Sequence, residues 1–188
     1  MKNYIFGYGS LVNTESRNIT GESIFIGQVR IRGLQRGWNV QVREATALGV
    51  IESSVGICNG IIVVVSDNEL EKYDVREIPT KYRRIEIPKK NIEFLAGDIS
   101  DGRLWTYVAI DPKLPDVNHP ILQSYLDVVL TGFLDFGFDF AKEFVNSTKG
   151  WSNLVNDRNQ PRYSRALEQL DRKVEIDTLV SDLGLSSK

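Results

Sequence analysis

Short apolar stretches set off by glycines dominate the first part of the chain, and a broad apolar stripe with helical spacing dominates the later part. Residues 4–8, 24–31, 38–42, 47–51 and 61–65 are rich in aromatic and β-branched side chains, which predicts short strands. Gly21, Gly33, Gly37, Gly56 and Gly60 punctuate them. The run Ile61-Ile62-Val63-Val64-Val65 is apolar without alternation, as expected of a strand covered on both faces. Ser66 or Asp67 can cap a short helix over DNELEKYD, and residues 82–87 and 103–110 predict two further strands.

The period changes after the proline-rich loop DPKLPDVNHP. In ILQSYLDVVLTGFLDFG, the positions Ile121, Leu122, Tyr125, Leu126, Val129, Phe133, Leu134 and Phe136 form one wide apolar face. Asn118 or His119 suits the cap, Pro120 the first turn and Gly137 the stop. A second helix over residues 138–146 follows at once. From Asp171 the chain is charged and ends in LGLSSK, an extension over 171–188 that either docks as a helix or stays mobile. Strands first and helices later predict a single α+β domain over residues 1–170, with a curved, barrel-like mixed β-sheet flanked by C-terminal helices.

Composition narrows the chemistry. The net charge of -2 argues against nucleic acid as a partner, and no apolar run reaches the roughly 20 residues that span a bilayer. One cysteine, Cys58, fits a reducing, cytoplasmic setting and reads as a small buried residue. With one histidine, His119, read as a cap or loop residue, a His/Cys metal site would need carboxylates for its other ligands. Acid-base work would fall to a carboxylate. Arg30, Arg32 and Arg36 alternate and predict a solvated face, while Phe133, Phe136, Phe138, Phe140 and Phe144 read as core or as a homo-oligomer contact.

Two stretches could carry chemistry. Gly7-Tyr8-Gly9-Ser10 ends the first strand. It is either a plain turn or a nest of backbone N–H groups aimed at an anion or a polarised carbonyl. It is not a dinucleotide fingerprint, since Val12 stands where the third glycine would be. The second stretch is YDVREIPTKYRR, residues 73–84. Its Asp74, Arg76 and Glu77 are either surface charges or, for Glu77, a base held against apolar walls.

Four segments in order carry a resemblance: FGYGSL at 6–11, VRIRGLQRGW at 29–38, NGIIVVVSDNELEKYDVRE at 59–77 and YLDVVLTGFLDFG at 125–137. Over about positions 4–145 the chain resembles the gamma-glutamylcyclotransferase-like superfamily, nearer its ChaC type than its mammalian type. Family loops read Tyr-Gly-Ser-Leu or Tyr-Gly-Ser-Asn, as at Tyr8 to Leu11. A Leu-Asp-x-x-Glu segment supplies the catalytic glutamate, here Tyr73-Asp74-Val75-Arg76-Glu77. A Tyr-x6-Gly-x4-Gly helix lines the site, here Tyr125, Gly132 and Gly137.

The resemblance implies release of 5-oxoproline from a small gamma-glutamyl amine, amino acid or peptide. The substrate's own α-amine attacks its γ-carbonyl, so positioning matters more than a protein nucleophile, metal or cofactor, and the resemblance implies no cofactor and no metal. Glu77 would be the general acid/base, main-chain amides from Gly7, Tyr8, Gly9, Ser10 and Leu11 the cradle, and Tyr8, Tyr82 and Tyr125 the orienting hydroxyls. The chain departs from the ChaC pattern at Val12-Asn13, where Ile-Trp is usual, which leaves the substrate open and motivates an alternative: a non-catalytic ligand-binding or regulatory module using the same pocket. Residues 151–165 lie beyond the shared core; Arg158 or Arg162 either faces a substrate carboxylate or packs the C-terminus, with packing favoured.

Overall fold

A computed structural model describes residues 1–78, 81–181 and 183. Strand β1 (Lys2–Gly7) runs into a single 3-10 turn, Ser10–Val12, and then into a short helix α1 (Thr14–Asn18). The Asn13 side chain caps α1 by accepting the Ser16 N–H at 2.9 Å. Two long strands follow, β2 (Ile24–Val42) and β3 (Ala45–Val65), then helix α2 (Asp67–Glu77), capped by Ser66. Strands β4 (Tyr82–Ile87), β5 (Ile92–Phe94) and β6 (Gly102–Ala109) complete the main sheet. The later part holds β7 (Ile121–Leu122), α3 (Gln123–Leu134), α4 (Phe138–Ser147), β8 (Leu154–Val155) and α5 (Lys173–Ser181).

The fold is α+β, as the order of patterns predicts. Six strands lie in the order β4-β6-β1-β3-β2-β5, and the sheet is mixed because β1 runs parallel to β6 and antiparallel to β3. The central β1 is apolar and buried from Tyr4 on, and Ile61, Ile62 and Val63 of β3 beside it are also buried. The sheet is curved but not closed: β4 and β5 end it, and no described pairing joins them. The expected curved, barrel-like mixed sheet is thus present in an open, curled form.

The curl comes from the β2–β3 hairpin. Residues 24–31 and 38–42 belong to one strand, and so do 47–51 and 61–65, because the glycines between them do not turn the chain: Gly33 sits at a bulge, and Gly37 and Gly60 pair in register with Gly49 and Val29. Arg32 pairs with Ile57 and Leu34 with Glu52, so Gly33, at φ +92°, faces residues 53–56 alone. A Cβ on Gly56 would lie 2.5 Å from the Leu34 carbonyl oxygen. Bulges of this kind bend and twist a ribbon. The distal arm swings over β6, where a Cβ on Gly49 would sit 3.2 Å from that of Ala109. Tyr82 of β4 donates to the Leu48 carbonyl at 2.6 Å, so a side chain spans the gap that hydrogen-bonded strands leave open.

Other expectations change for identifiable reasons. Helix α3 starts at Gln123, not at a cap on Asn118 or His119, because Ile121 and Leu122 pair with Leu154 and Val155 as strands. The N–H groups of Asn118 and His119 go to Asp116 Oδ1 instead. Arg36 leaves the predicted solvated face: it is fully buried, whereas Arg32 is exposed and Arg30 half-buried in ion pairs with Glu143 and Glu93. No carboxylate pairs with Arg36 among the described contacts. Its guanidinium donates to the carbonyls of Tyr8, Asn59 and Phe144, to Asn59 Oδ1 and to Thr148 Oγ1, and stacks 4.2 Å from the Phe144 ring centre. Of the five phenylalanines, Phe133, Phe140 and Phe144 are core, Phe136 is partly buried and Phe138 is exposed. Residues 184–188, at the end left between helix and mobile tail, lie outside the described residues; before them α5 buries Ile176 and Leu179.

Candidate active site

Gly7 ends β1 because the chain doubles back there: a Cβ on it would stand 3.0 Å from that of Leu11. The turn that follows is fixed by its own amides, Val12 N–H to Gly9 O at 2.9 Å and Asn13 N–H to Ser10 O at 3.2 Å. Two buried arginines hold its carbonyls from behind. Arg17 donates to Leu11 O (2.9 Å) and Val12 O (3.2 Å), and Arg36 to Tyr8 O (3.2 Å). With the carbonyls drawn away, the first-turn amides of Ser10 and Leu11 have no acceptor inside the helix they start. Helix α3 crowds the same turn, since a Cβ on Gly132 would fall 2.4 Å from Asn13 N.

Across from the turn, α2 delivers Glu77 as its last residue. A carboxylate there meets the negative end of the helix dipole, so helix stability does not explain it. The Glu77 side chain is 15% exposed, and Oε1 lies 2.9 Å from Arg76 Nε. Arg76 also donates through Nη2 to Ser10 Oγ (2.9 Å) and through Nη1 to Thr20 Oγ1 (2.5 Å). Burial lifts the Glu77 carboxyl above the usual range, and the charges of Arg76 and then Arg165 pull it partly back.

A cavity of ≈ 600 Å³ lies between these parts. Tyr8, Gly9, Ser10, Leu11, Glu77, Tyr82 and Tyr125 all line it; Gly7 stands behind the loop, off the lining. The tyrosines are fixed by their neighbours. Tyr8 donates to Tyr107 O at 2.6 Å, Tyr82 is anchored on Leu48 as above, and Tyr125 packs edge-on against Trp38 and Tyr163. Burial, with the nearby Glu77 charge, raises the proton affinity of all three phenols, so they are neutral donors and acceptors.

Part of the outer wall comes from the tract 151–165, for which packing is favoured over lining the pocket on sequence alone, and part from a turn that carries no signal. That wall consists of the β2–β3 turn, residues 42–45, and the segment 162–165. Of the two arginines singled out in the tract, Arg158 packs the C-terminal region, bound to Asp127 (2.7 Å) and Asp177 (2.6 Å), while Arg162 stands exposed at the cavity mouth. Arg165 and Tyr107, also on the lining, carry no local signal, because they reach the site from distant stretches. His119 and Cys58 are not on the lining. Among the described residues no group of three or more His, Cys, Asp or Glu is gathered as metal ligands would be.

The architecture has solved counterparts. A structure described as a gamma-glutamyl cyclotransferase superposes with a TM-score of 0.64 at 12% identity, covering 96% of this chain and 99% of that one. The chain has the gamma-glutamyl cyclotransferase fold. An uncharacterized protein from Homo sapiens matches with a TM-score of 0.60 at 12% identity over 95% of this chain and 98% of that one. YkqA from Bacillus subtilis matches at 0.58 and 17% identity over 79% of this chain and 56% of that one. No family model and no curated protein matches the sequence. Among the described residues no helix is long and apolar enough to cross a membrane.

Proposed function

We propose that this protein is a gamma-glutamylcyclotransferase-type enzyme that releases 5-oxoproline from a gamma-glutamyl amine, amino acid or peptide. The observation that carries the reading is the juxtaposition of a mostly buried Glu77 carboxylate and the Gly9–Leu11 main chain on the walls of one cavity. The reaction needs no protein nucleophile. The α-ammonium gives a proton to Glu77 and the freed amine attacks the γ-carbonyl carbon to close a lactam ring. The old C–N bond breaks as Glu77 returns that proton to the departing nitrogen, then Glu77 carries the ring nitrogen's second proton to the released amine, which leaves as its ammonium. Loop amides receive the negative charge, on the carbonyl oxygen in the transition state or on the α-carboxylate; each such donor is worth about 3–4 kcal/mol in acyl transfer.

The tyrosines fit complementary roles. Tyr8 and Tyr82 donate their protons to main-chain carbonyls, so what they offer the cavity is a lone pair, suited to the substrate's N–H groups. Tyr125, whose hydroxyl lies beside Gly9, would orient the glutamyl chain. Within the superfamily we place the chain nearer the ChaC type, on Tyr8-Gly9-Ser10-Leu11 and the glutamate segment, with residues 1–170 as the catalytic domain and a cytoplasmic setting.

The test is a mass-spectrometric assay for 5-oxoproline across gamma-glutamyl amines, amino acids and peptides. Turnover of at least one class is expected. Calorimetric binding of such a compound with no product over hours would overturn the enzyme reading and favour a binding module.

A further inference from the structure

Arg165 reaches the site from the segment after β8, far from α2 in sequence. Its Nη1 donates to the Ser16 carbonyl at 3.0 Å and to Thr20 Oγ1 at 2.8 Å. The same Thr20 oxygen accepts from Arg76 Nη1, so two guanidinium groups meet at one hydroxyl. Like charges placed side by side repel, and an arrangement of this kind is costly unless an anion draws both in. Glu77 is the anion both feel: Arg76 holds its carboxylate through Nε while holding Ser10 of the loop through Nη2, and Arg165 acts on it through charge. A continuous path of contacts thus runs from the C-terminal segment through Thr20 to Arg76, and from there to both Glu77 and the loop. Thr20 itself is not on the cavity lining.

We infer that Arg76 and Arg165 are positioning residues for Glu77, joined through the Thr20 hydroxyl, so that docking of residues 162–165 fixes the carboxylate against the loop. Its catalytic consequence rests on the cyclotransferase reading above; its structural content does not. The groups that act on Glu77 come from every side. Arg76 on α2 and Arg165 on the C-terminal segment favour its ionised form, burial opposes it, and the phenols of Tyr8, Tyr82, Tyr107 and Tyr125 feel its charge. Asp74, on the same helix, is engaged by Tyr107 at 2.8 Å and Arg84 at 2.6 Å. Removing Arg165 takes away a cation that favours carboxylate, so Glu77 must then hold its proton to higher pH.

The experiment combines two variants and two readouts. In protein carrying ¹³C-carboxyl glutamate, the Glu77 signal is assigned by its loss in Glu77→Gln and titrated in wild type, Arg165→Gln and Arg165→Lys. In parallel, kcat and KM are measured against pH with the best gamma-glutamyl substrate, including Thr20→Val. Arg165→Gln is expected to move the Glu77 midpoint and the acid limb of kcat/KM upward together, with Arg165→Lys restoring both. Thr20→Val, which changes no charge and touches no substrate, is expected to lower kcat about tenfold with KM nearly unchanged, the mark of a misplaced catalytic group. An unmoved midpoint in folded Arg165→Gln, or an unaltered kcat in Thr20→Val, overturns the inference. If the midpoint moves while even the wild type yields no 5-oxoproline, the clamp stands and the reaction assignment falls.

Discussion

Glu77 occupies a position where burial costs its ionised form more than the charges of Arg76 and Arg165 return. It ends a helix where the dipole disfavours an anion, it is largely withdrawn from water, and phenols surround it. Folding therefore works against its ionised form, and that has a measurable sign. The folded carboxyl binds its proton more tightly than the unfolded one, whose ordinary value is 4.5. Its contribution to stability is therefore fully present below 4.5 and is lost as pH rises through the higher folded value. Glutamine has no such dependence. Thermal melts of Glu77→Gln and wild type between about pH 4 and about pH 8 should show the variant gaining on the wild type as pH rises. A difference that stays constant over that range would contradict the assigned environment.

Individual elements show what the pattern of residues can and cannot tell. The β4 boundaries follow the alternation directly, and β1 and β6 are shifted by only a residue or two at their ends, because their partners are sheet neighbours that reward the same pattern. The β2–β3 hairpin reads as four strands in sequence because a glycine at a bulge and a glycine at a turn look alike there. Helix α3 started late because β8, which captures Ile121 and Leu122, lies far along the chain. Gly132 belongs to the same lesson: within its own helix it has no evident purpose, yet it lets α3 lie against Val12 and Asn13 with their backbone 2.4–2.8 Å from where a Cβ would be. Gly132→Ala should cost about 1–3 kcal/mol of stability through overpacking and push the Ser10–Val12 turn out of place. Denaturant unfolding together with activity would check both effects; an equally stable, fully active variant would mean that the contact is slack.

For the whole molecule, the site is assembled from parts that the sequence shows to unequal degrees. The loop at Tyr8 to Leu11 and the acid at Glu77 were legible, the first from its glycines at a strand end, the second chiefly through the order of motifs. The supports were not. Arg36 looked like one member of an alternating, solvated series, but it is the buried post that ties the Tyr8 carbonyl to β3 and α4. Arg165 arrives from beyond the segment that carries the resemblance, and only the fold brings it beside Arg76. Local signals identify groups that face the cavity, whereas the residues that hold those groups in place are chosen by long-range packing. The account stands or falls on the carboxylate these supports surround. The most direct measurement is 5-oxoproline release by Glu77→Gln beside wild type, on the best substrate of the panel, with circular dichroism to establish folding. At least about a hundredfold loss of kcat is predicted for removal of the proposed general acid/base; a folded Glu77→Gln protein that turns over at the wild-type rate would contradict it.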